Sequence, residues 1–339
     1  MSEPTATNTP TEPQTLDKAI EAPTQEAASK AGPEPTSALT EEHPPTPLAE
    51  EAPQEPADDT DEPENELTKK FTLEEWKALK EFRTQLPEVF AKAFHPDDAS
   101  ARAEPITLWG VSIDPQAPKS DARVSVLLMK FLRARNLNVA EAHDMLTATL
   151  KWRTQFKIDE IMNEKFDDTI FGGVGYVTGH DKEGRPVKSD FTYNLYGGSN
   201  IKTVFSDVPR FIRWRVQLME RSIELLDFEK VDQMVQIHDY AGVSFLGGRD
   251  ANQKAAAAEA TNIFQNHYPE FLSSKFFINV PTLLTWIFWL FKPLVSAKTF
   301  AKMQVVGTSK STISAALLPI IDKSELPARY GGDAKDLTD

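Results

Sequence analysis

Residues 233–240 read "QMVQIHDY", residues 252–269 read "NQKAAAAEATNIFQNHYP", and residues 275–280 read "KFFINV". The outer two are short runs rich in β-branched and aromatic side chains. The middle one is long, alanine-rich and free of glycine. Strand, helix and strand in this order form the unit of a parallel sheet. A third short run, "KMQVVG" (302–307), follows the apolar segment "PTLLTWIFWLFKPLV" (281–295). The expectation is an α/β lobe whose sheet is mostly parallel. Within the first strand side chains alternate between faces, so His238 and Tyr240 share one face while Ile237 and Asp239 share the other. Asp239 is therefore expected to support a loop or a helix N-terminus, away from the His238 and Tyr240 pair.

Upstream, "SDVPRFIRWRVQLMERSIELLDF" (206–228) reads as a long helix, with Pro209 in the first turn where its missing N–H costs little. Before it, residues 169–198 offer two β-rich runs joined by the turn "DKEGRP". The glycines there, Gly172, Gly173, Gly175 and Gly179, match neither a dinucleotide fingerprint nor a phosphate loop and are read as strand glycines. Earlier still the pattern is helical. "FTLEEWKALKEFRTQLPEVFAKAF" (71–94) has Thr72 and Glu75 at capping-box spacing and an apolar stripe of Phe71, Trp76, Leu79 and Phe82. "DARVSVLLMKFLRAR" (121–135) and "VAEAHDMLTATLKWRTQF" (139–156) follow, the second capped by Asn138 with Glu141 three residues on. Residues 69–165 thus read as a small all-helical bundle, with His143 on a helix surface and Trp109 in a proline-containing loop. Residues 166–339 read as the α/β lobe.

The chain of 339 residues has a formal net charge of −14, but that charge is concentrated at one end. Residues 1–68 hold 17 acidic residues, 2 lysines, 12 of the 24 prolines and no aromatic residue, so the remainder is almost neutral at +1. Such a segment buries too little apolar surface to offset its ordering entropy and is expected to be a disordered acidic tail. It shows neither the basic start and apolar core of a secretory signal nor the basic character of a transit peptide. A near-neutral folded part without a basic stripe argues against nucleic acid as a partner. No cysteine is present, which removes disulfides, thiol nucleophiles and thiolate metal sites.

From Ile278 to Phe291 no residue is charged. At 14 residues, with Pro281 inside and Lys292–Pro293 at its end, the run is shorter than the roughly 20 residues a membrane-spanning helix needs. A helix that is apolar on every side is either buried in the core or faces something apolar that is not protein. The second reading makes residues 282–292 a gate that covers a lipid-sized cavity and dips into a bilayer.

"FLRARNLNVAEAHDMLTATLKWRTQF" resembles the N-terminal helical signature of the CRAL-TRIO lipid-binding proteins, and "NIFQNHYPEFLSSKFFINVPTLLTWIFWLFKPLVSAKTFAKMQVVG", followed by "LPARYGG", resembles their lipid-binding lobe and gate helix. The likeness covers about residues 70 to 333. "NLYGG", "RFIRWRVQLMERSIELLDF" and "QIHDYAGVS" narrow it to the fungal non-classical phosphatidylinositol transfer branch. The resemblance implies a CRAL-TRIO fold with a hydrophobic pocket, no covalent catalysis, peripheral membrane contact, and a cytoplasmic location at the endoplasmic reticulum or microsomal membrane. It implies phosphatidylinositol exchange between membranes, with roles in phosphoinositide homeostasis or the oxidative stress response. The family's headgroup positions match Arg135, Glu270, Thr299 and Lys302, where lysine and arginine meet phosphate while Glu270 and Thr299 hydrogen-bond hydroxyls. Asn136 departs from the second basic residue common in the family. Met234 and Gln236 stand where choline-lipid carriers place small hydroxyl residues.

The branch also contains a haem-binding subgroup, which implies haem b with Tyr240 as its iron ligand and Arg215, His238 and Lys275 around it. Phenolate is a hard donor suited to ferric iron, and nearby cations favour loss of its proton. Arg135 departs from the tyrosine that the best-known haem-binding relative carries there. The alternatives are a haem protein without lipid transfer, or His238 and Tyr240 as a hydrogen-bonded pair in a core. Neither a nucleophile elbow nor a metalloprotease motif accompanies the His-Asp-Tyr series, so an acid–base enzyme is not expected.

Overall fold

The computed structural model describes residues 62–95, 97, 104–177, 191–195, 201–243, 251–281 and 297–337. The proposed gate helix at 282–292, the turn "DKEGRP" and most of the acidic segment lie outside these residues.

The helical region opens with α1 (Leu73–Thr84), whose Thr72 and Glu75 form the expected reciprocal capping box, and α2 (Leu86–Phe94). It continues with α3 (Ala122–Ala134), capped by the Asp121 carboxylate, and α4 (Val139–Phe156), capped by Asn138. Leu79, Phe82, Val89, Phe90, Leu127, Phe131 and Leu146 close their common core. Three expectations need correction. Between α2 and α3 the chain forms a two-stranded hairpin, β1 (Ile106–Leu108) and β2 (Val111–Ile113), so the region is not all helical. Trp109 and Gly110 turn that hairpin with positive φ, and Trp109 is buried, edge-on to Phe271 at 4.7 Å. His143 is buried rather than on the surface, because α2 covers that side of α4; its Nδ1 lies 3.0 Å from Asp144. Residues 62–68, assigned by composition to the acidic segment, are held to the folded part. Glu62 pairs with buried Arg83 at 2.6 Å, and Asn65 donates to the Phe228 carbonyl at 2.9 Å.

Two short helices, α5 (Ile158–Asn163) and α6 (Asp168–Phe171), lead into a five-stranded sheet of order β3-β4-β5-β6-β7. β3 (Gly175–Val177) pairs antiparallel with β4 (Phe191–Leu195). β5 (Met234–Asp239), β6 (Leu272–Ile278) and β7 (Met303–Val305) extend the sheet in parallel from β4. The strand-glycine reading holds for Gly175, where a Cβ would lie 2.6 Å from a Leu218 methyl on α8 (Val208–Ile223); it needs correction for Gly172, which ends α6, and for Gly173, which turns the chain with positive φ, while Gly179 lies outside the described residues. α7 (Ile201–Val204) and α8 link β4 to β5, α9 (Ala251–His267) links β5 to β6, and α10 (Ala297–Ala301) precedes β7. α8 and α9 pack on each other.

The alternation in β5 assigns its faces. Val235 and Ile237 join Phe276 and Ile278 of β6 in a core closed by Ile313 and Leu317 of α11 (Lys310–Leu317) and by Tyr330. Burying side chains as large as Ile237 and Phe276 stabilises by about 1.5–3 kcal/mol each. Gln236 and His238 point to the other side, where the Gln236 amide lies 3.9 Å from the Met219 sulfur of α8. Every residue of β5 is buried. No helix among the described residues is long and apolar enough to cross a membrane.

Candidate functional site

On the α8 side of the sheet the register sets Gln236 beside Lys275 and His238 beside Phe277. The Phe277 ring lies 5.4 Å from the His238 ring and 6.2 Å from that of Tyr240, and the Lys275 ammonium stands 5.4 Å from the same ring. From α8 comes Arg215, 3% exposed, with its guanidinium 5.0 Å from the Phe264 ring of α9. His238 is pushed well below the ordinary imidazole range, first by burial and then by the charges of Lys275 and Arg215. Lys275 is brought down to about 7, by burial and then by Arg215. Arg215, Lys275 and a neutral imidazole therefore share one face, where a negative charge would hold the proton on Lys275. An arrangement of this kind favours an anionic occupant.

Asp239 is on the far face, as the alternation requires. Its carboxylate accepts from Tyr330 Oη (2.9 Å), Asn279 Nδ2 (2.7 Å) and Ala241 N (2.8 Å), so it organises the chain leaving β5. A cleft of about 370 Å³ opens there, lined by Asp239, Asn279, Lys310, Arg329 and Tyr330 among others. None of the predicted site residues borders it.

A second cluster forms where β6 begins. The Glu270 carboxylate receives Lys298 of α10 at 2.9 Å and Lys302 at 3.1 Å, and Lys302 also donates to the Leu272 carbonyl at 2.6 Å. Burial by itself would raise the Glu270 carboxyl, but the bonds and charges of Lys298 and Lys302 outweigh it and hold the group below its ordinary value. Thr299 is half-buried in α10, between the two lysines. Arg135 is not brought into this cluster; it ends α3 with its guanidinium 3.1 Å from the Ala134 carbonyl. Arg133 stands closer in effect, since it pairs with Glu75 at 2.6 Å and Glu75 also feels Lys298.

The structure thus groups Glu270, Thr299 and Lys302, and separately Arg215, His238, Lys275 and Tyr240. The sequence reading missed Lys298, although Lys298 and Lys302 are four residues apart, a spacing that aligns side chains on one helical face. It also missed Lys130, whose ammonium, 1% exposed, lies 2.9 Å from Asp232 Oδ2 and 3.1 Å from the Glu270 carbonyl. No periodic pattern marks a contact between residues 140 positions apart.

A helical N-terminal region and a mostly parallel sheet agree with the family comparison. Residues 170–332 match the CRAL/TRIO domain and residues 78–148 the CRAL/TRIO N-terminal domain, and the chain belongs to this family. The phosphatidylinositol transfer protein sfh5 of Sclerotinia sclerotiorum is 36% identical over 292 residues, covering 82% of this chain and 66% of that protein. The protein of the same name from Phaeosphaeria nodorum is 35% identical over 257 residues, covering 71% of this chain and 75% of that one. The chain spans less than two thirds of several such relatives, for example 56% of the Aspergillus oryzae protein. A crystal structure of Sfh5 is similar with a TM-score of 0.61 at 28% identity, covering 72% of this chain and 83% of that chain.

Proposed function

We propose that the protein binds phosphatidylinositol and exchanges it between membranes. The observation that carries this reading is the Glu270 carboxylate set between Lys298 and Lys302 with Thr299 beside them. A phosphodiester attracts the lysines, while Glu270 and Thr299 hydrogen-bond inositol hydroxyls. The name of these relatives points to the same lipid. In this reading acyl chains enter the lobe during brief contact with a bilayer. Recovery of phosphatidylinositol in lipid extracted from the purified protein is expected, as is a roughly tenfold or greater loss of vesicle-to-vesicle transfer in Lys302→Ala. Extracts without that lipid, together with undiminished transfer by the variant, refute the assignment.

A second reading, binding of haem b, rests on Arg215 and Lys275 flanking His238 on the face that Tyr240 borders. These residues fit the group: Tyr240 supplies the phenol oxygen, and the two cations favour phenolate and meet propionate charge. His238, kept neutral, is suited to hydrogen-bond beside the site. A ferric haem bound here supplies redox and peroxide chemistry at the iron. Protein made in a haem-sufficient host is expected to show a Soret band that Tyr240→Phe removes. Colourless protein that does not take up added hemin overturns the reading.

A further inference from the structure

We infer that Lys130 is a positioning residue for the Glu270 carboxylate, acting from α3 through the Glu270 main chain. The inference rests on the reading of Glu270 as a headgroup contact. Glu270 has a φ of +53°, in the left-handed region that a side-chain-bearing residue adopts only when its surroundings hold it there. The holding contacts are present. The Glu270 carbonyl accepts from Lys130 Nζ at 3.1 Å and from Gln233 Nε2 at 3.2 Å. Lys130 is buried, its ammonium 4.4 Å from the Phe271 ring and bonded to both the carbonyl and the carboxylate of Asp232. The next link, Met234 N to Phe271 O at 2.8 Å, ties the start of β5 to the start of β6.

One ammonium therefore pins the entrances of two neighbouring strands. The left-handed residue between Pro269 and Phe271 directs its side chain toward α10, where Lys298 and Lys302 receive it. Gln233 is a neutral donor on a flexible stem, whereas Lys130 is buried and its ammonium is also held by the Asp232 main-chain carbonyl, which a change of the Asp232 side chain leaves in place. A backbone relaxed toward ordinary φ swings the carboxylate away from both lysines. The cause is remote from the lipid, so Lys130 itself touches no ligand in this scheme.

The test is a double-mutant cycle on the full chain, reading transfer of phosphatidylinositol between phosphatidylinositol-containing and acceptor vesicles, with thermal unfolding followed for each variant. Lys130→Met and Glu270→Ala are each expected to lower transfer roughly tenfold, and the double variant is expected to fall no further than Glu270→Ala alone. Asp232→Asn, which removes the ion pair but leaves the Lys130 bond to the Glu270 carbonyl, is expected to lower the melting temperature with little loss of transfer. Should Lys130→Met fail to fold, Gln233→Leu takes its place in the cycle, with a several-fold loss that again vanishes in the Glu270→Ala background. Losses that multiply in the double variant, or an Asp232→Asn defect equal to that of Lys130→Met, overturn the positioning role alone. A Glu270→Ala protein that transfers normally overturns the headgroup reading and the positioning role with it.

Discussion

Removing the Glu220 carboxylate tests whether α8 is anchored as the structure indicates. Glu220 is 5% exposed. Its Oε1 accepts from Arg153 Nη1 (2.6 Å), Tyr268 Oη (2.6 Å) and, weakly, Trp109 Nε1 (3.4 Å), and its Oε2 accepts from Arg153 Nη2 (3.0 Å). Burial first, and then the Glu220 charge, raise the Tyr268 phenol well above its usual range, so it remains a donor at every relevant pH. Glu220→Ala leaves a largely enclosed guanidinium without its partner, which costs about 3–5 kcal/mol, and orphans a buried hydroxyl, which costs about 1–3 kcal/mol. The terms overlap, and Arg153 keeps 15% side-chain exposure through which water can reach it. A net loss of about 4 kcal/mol is therefore expected. At about 2–4 °C per kcal/mol for a domain of this size, the melting temperature should fall by roughly 10 °C. Urea unfolding followed by circular dichroism measures the loss. Glu220→Gln, which keeps one acceptor, should fall between wild type and Glu220→Ala. Arg153→Met combined with Glu220→Met should recover part of the deficit, because no unpaired charge stays buried. A Glu220→Ala loss below about 1 kcal/mol at unchanged urea dependence would refute the reasoning.

Burial lowers His267 to about 4 while its ring stacks on Trp152 at 4.4 Å. The unfolded chain takes up that proton near its ordinary 6.5, so the contribution is complete above that pH and is lost as pH falls toward 4. Melting temperature measured from pH 7.5 to 4.5 should decline less steeply in His267→Gln, and superimposable profiles sink the attribution. Lys275, at about 7, should gain a proton when an anion binds beside it, so hemin binding at pH 8 takes up protons and weakens as pH rises. Calorimetry in buffers of different ionisation heat detects the uptake; its persistence in Lys275→Met counts against the site. Asp239→Ala orphans the buried Tyr330 hydroxyl and should cost at least about 1–3 kcal/mol of stability, while any Soret band survives because Asp239 is on the other face. Loss of the band at unchanged melting temperature contradicts the face assignment.

The parts of this fold that could be read from the sequence are those governed by period and capping. The alternation in "QMVQIHDY" separated Asp239 from His238 and Tyr240, and the Tyr330 bond shows that separation in space. Thr72 and Asn138 cap the helices that their spacing indicated. The hairpin around Trp109 was hidden because its strands are three residues each, too short for a period-two pattern to stand out. His143 was misplaced for a related reason: α4 packs against α2 on one side and against α9 on another, so a polar residue on its outer side in sequence is still covered.

Sites depend on pairs that no local pattern encodes. Glu270 gathers Lys298 and Lys302 from some thirty residues downstream and Lys130 from the helical region, and the backbone then links this cluster to the other, since Lys275 N donates to Lys302 O at 2.8 Å. The consequence is electrostatic as well as mechanical. Residues 69–339 are almost neutral overall, yet Arg215 and Lys275 enclose His238 on one sheet face while the carboxylates Asp239 and Glu220 are bonded elsewhere, to Tyr330 and to Arg153. Net charge therefore said nothing of the site. What concentrates positive potential on that face is placement: Arg215 comes from α8 and Lys275 from β6, while the carboxylates of Asp239 and Glu220 are engaged by Tyr330 and Arg153.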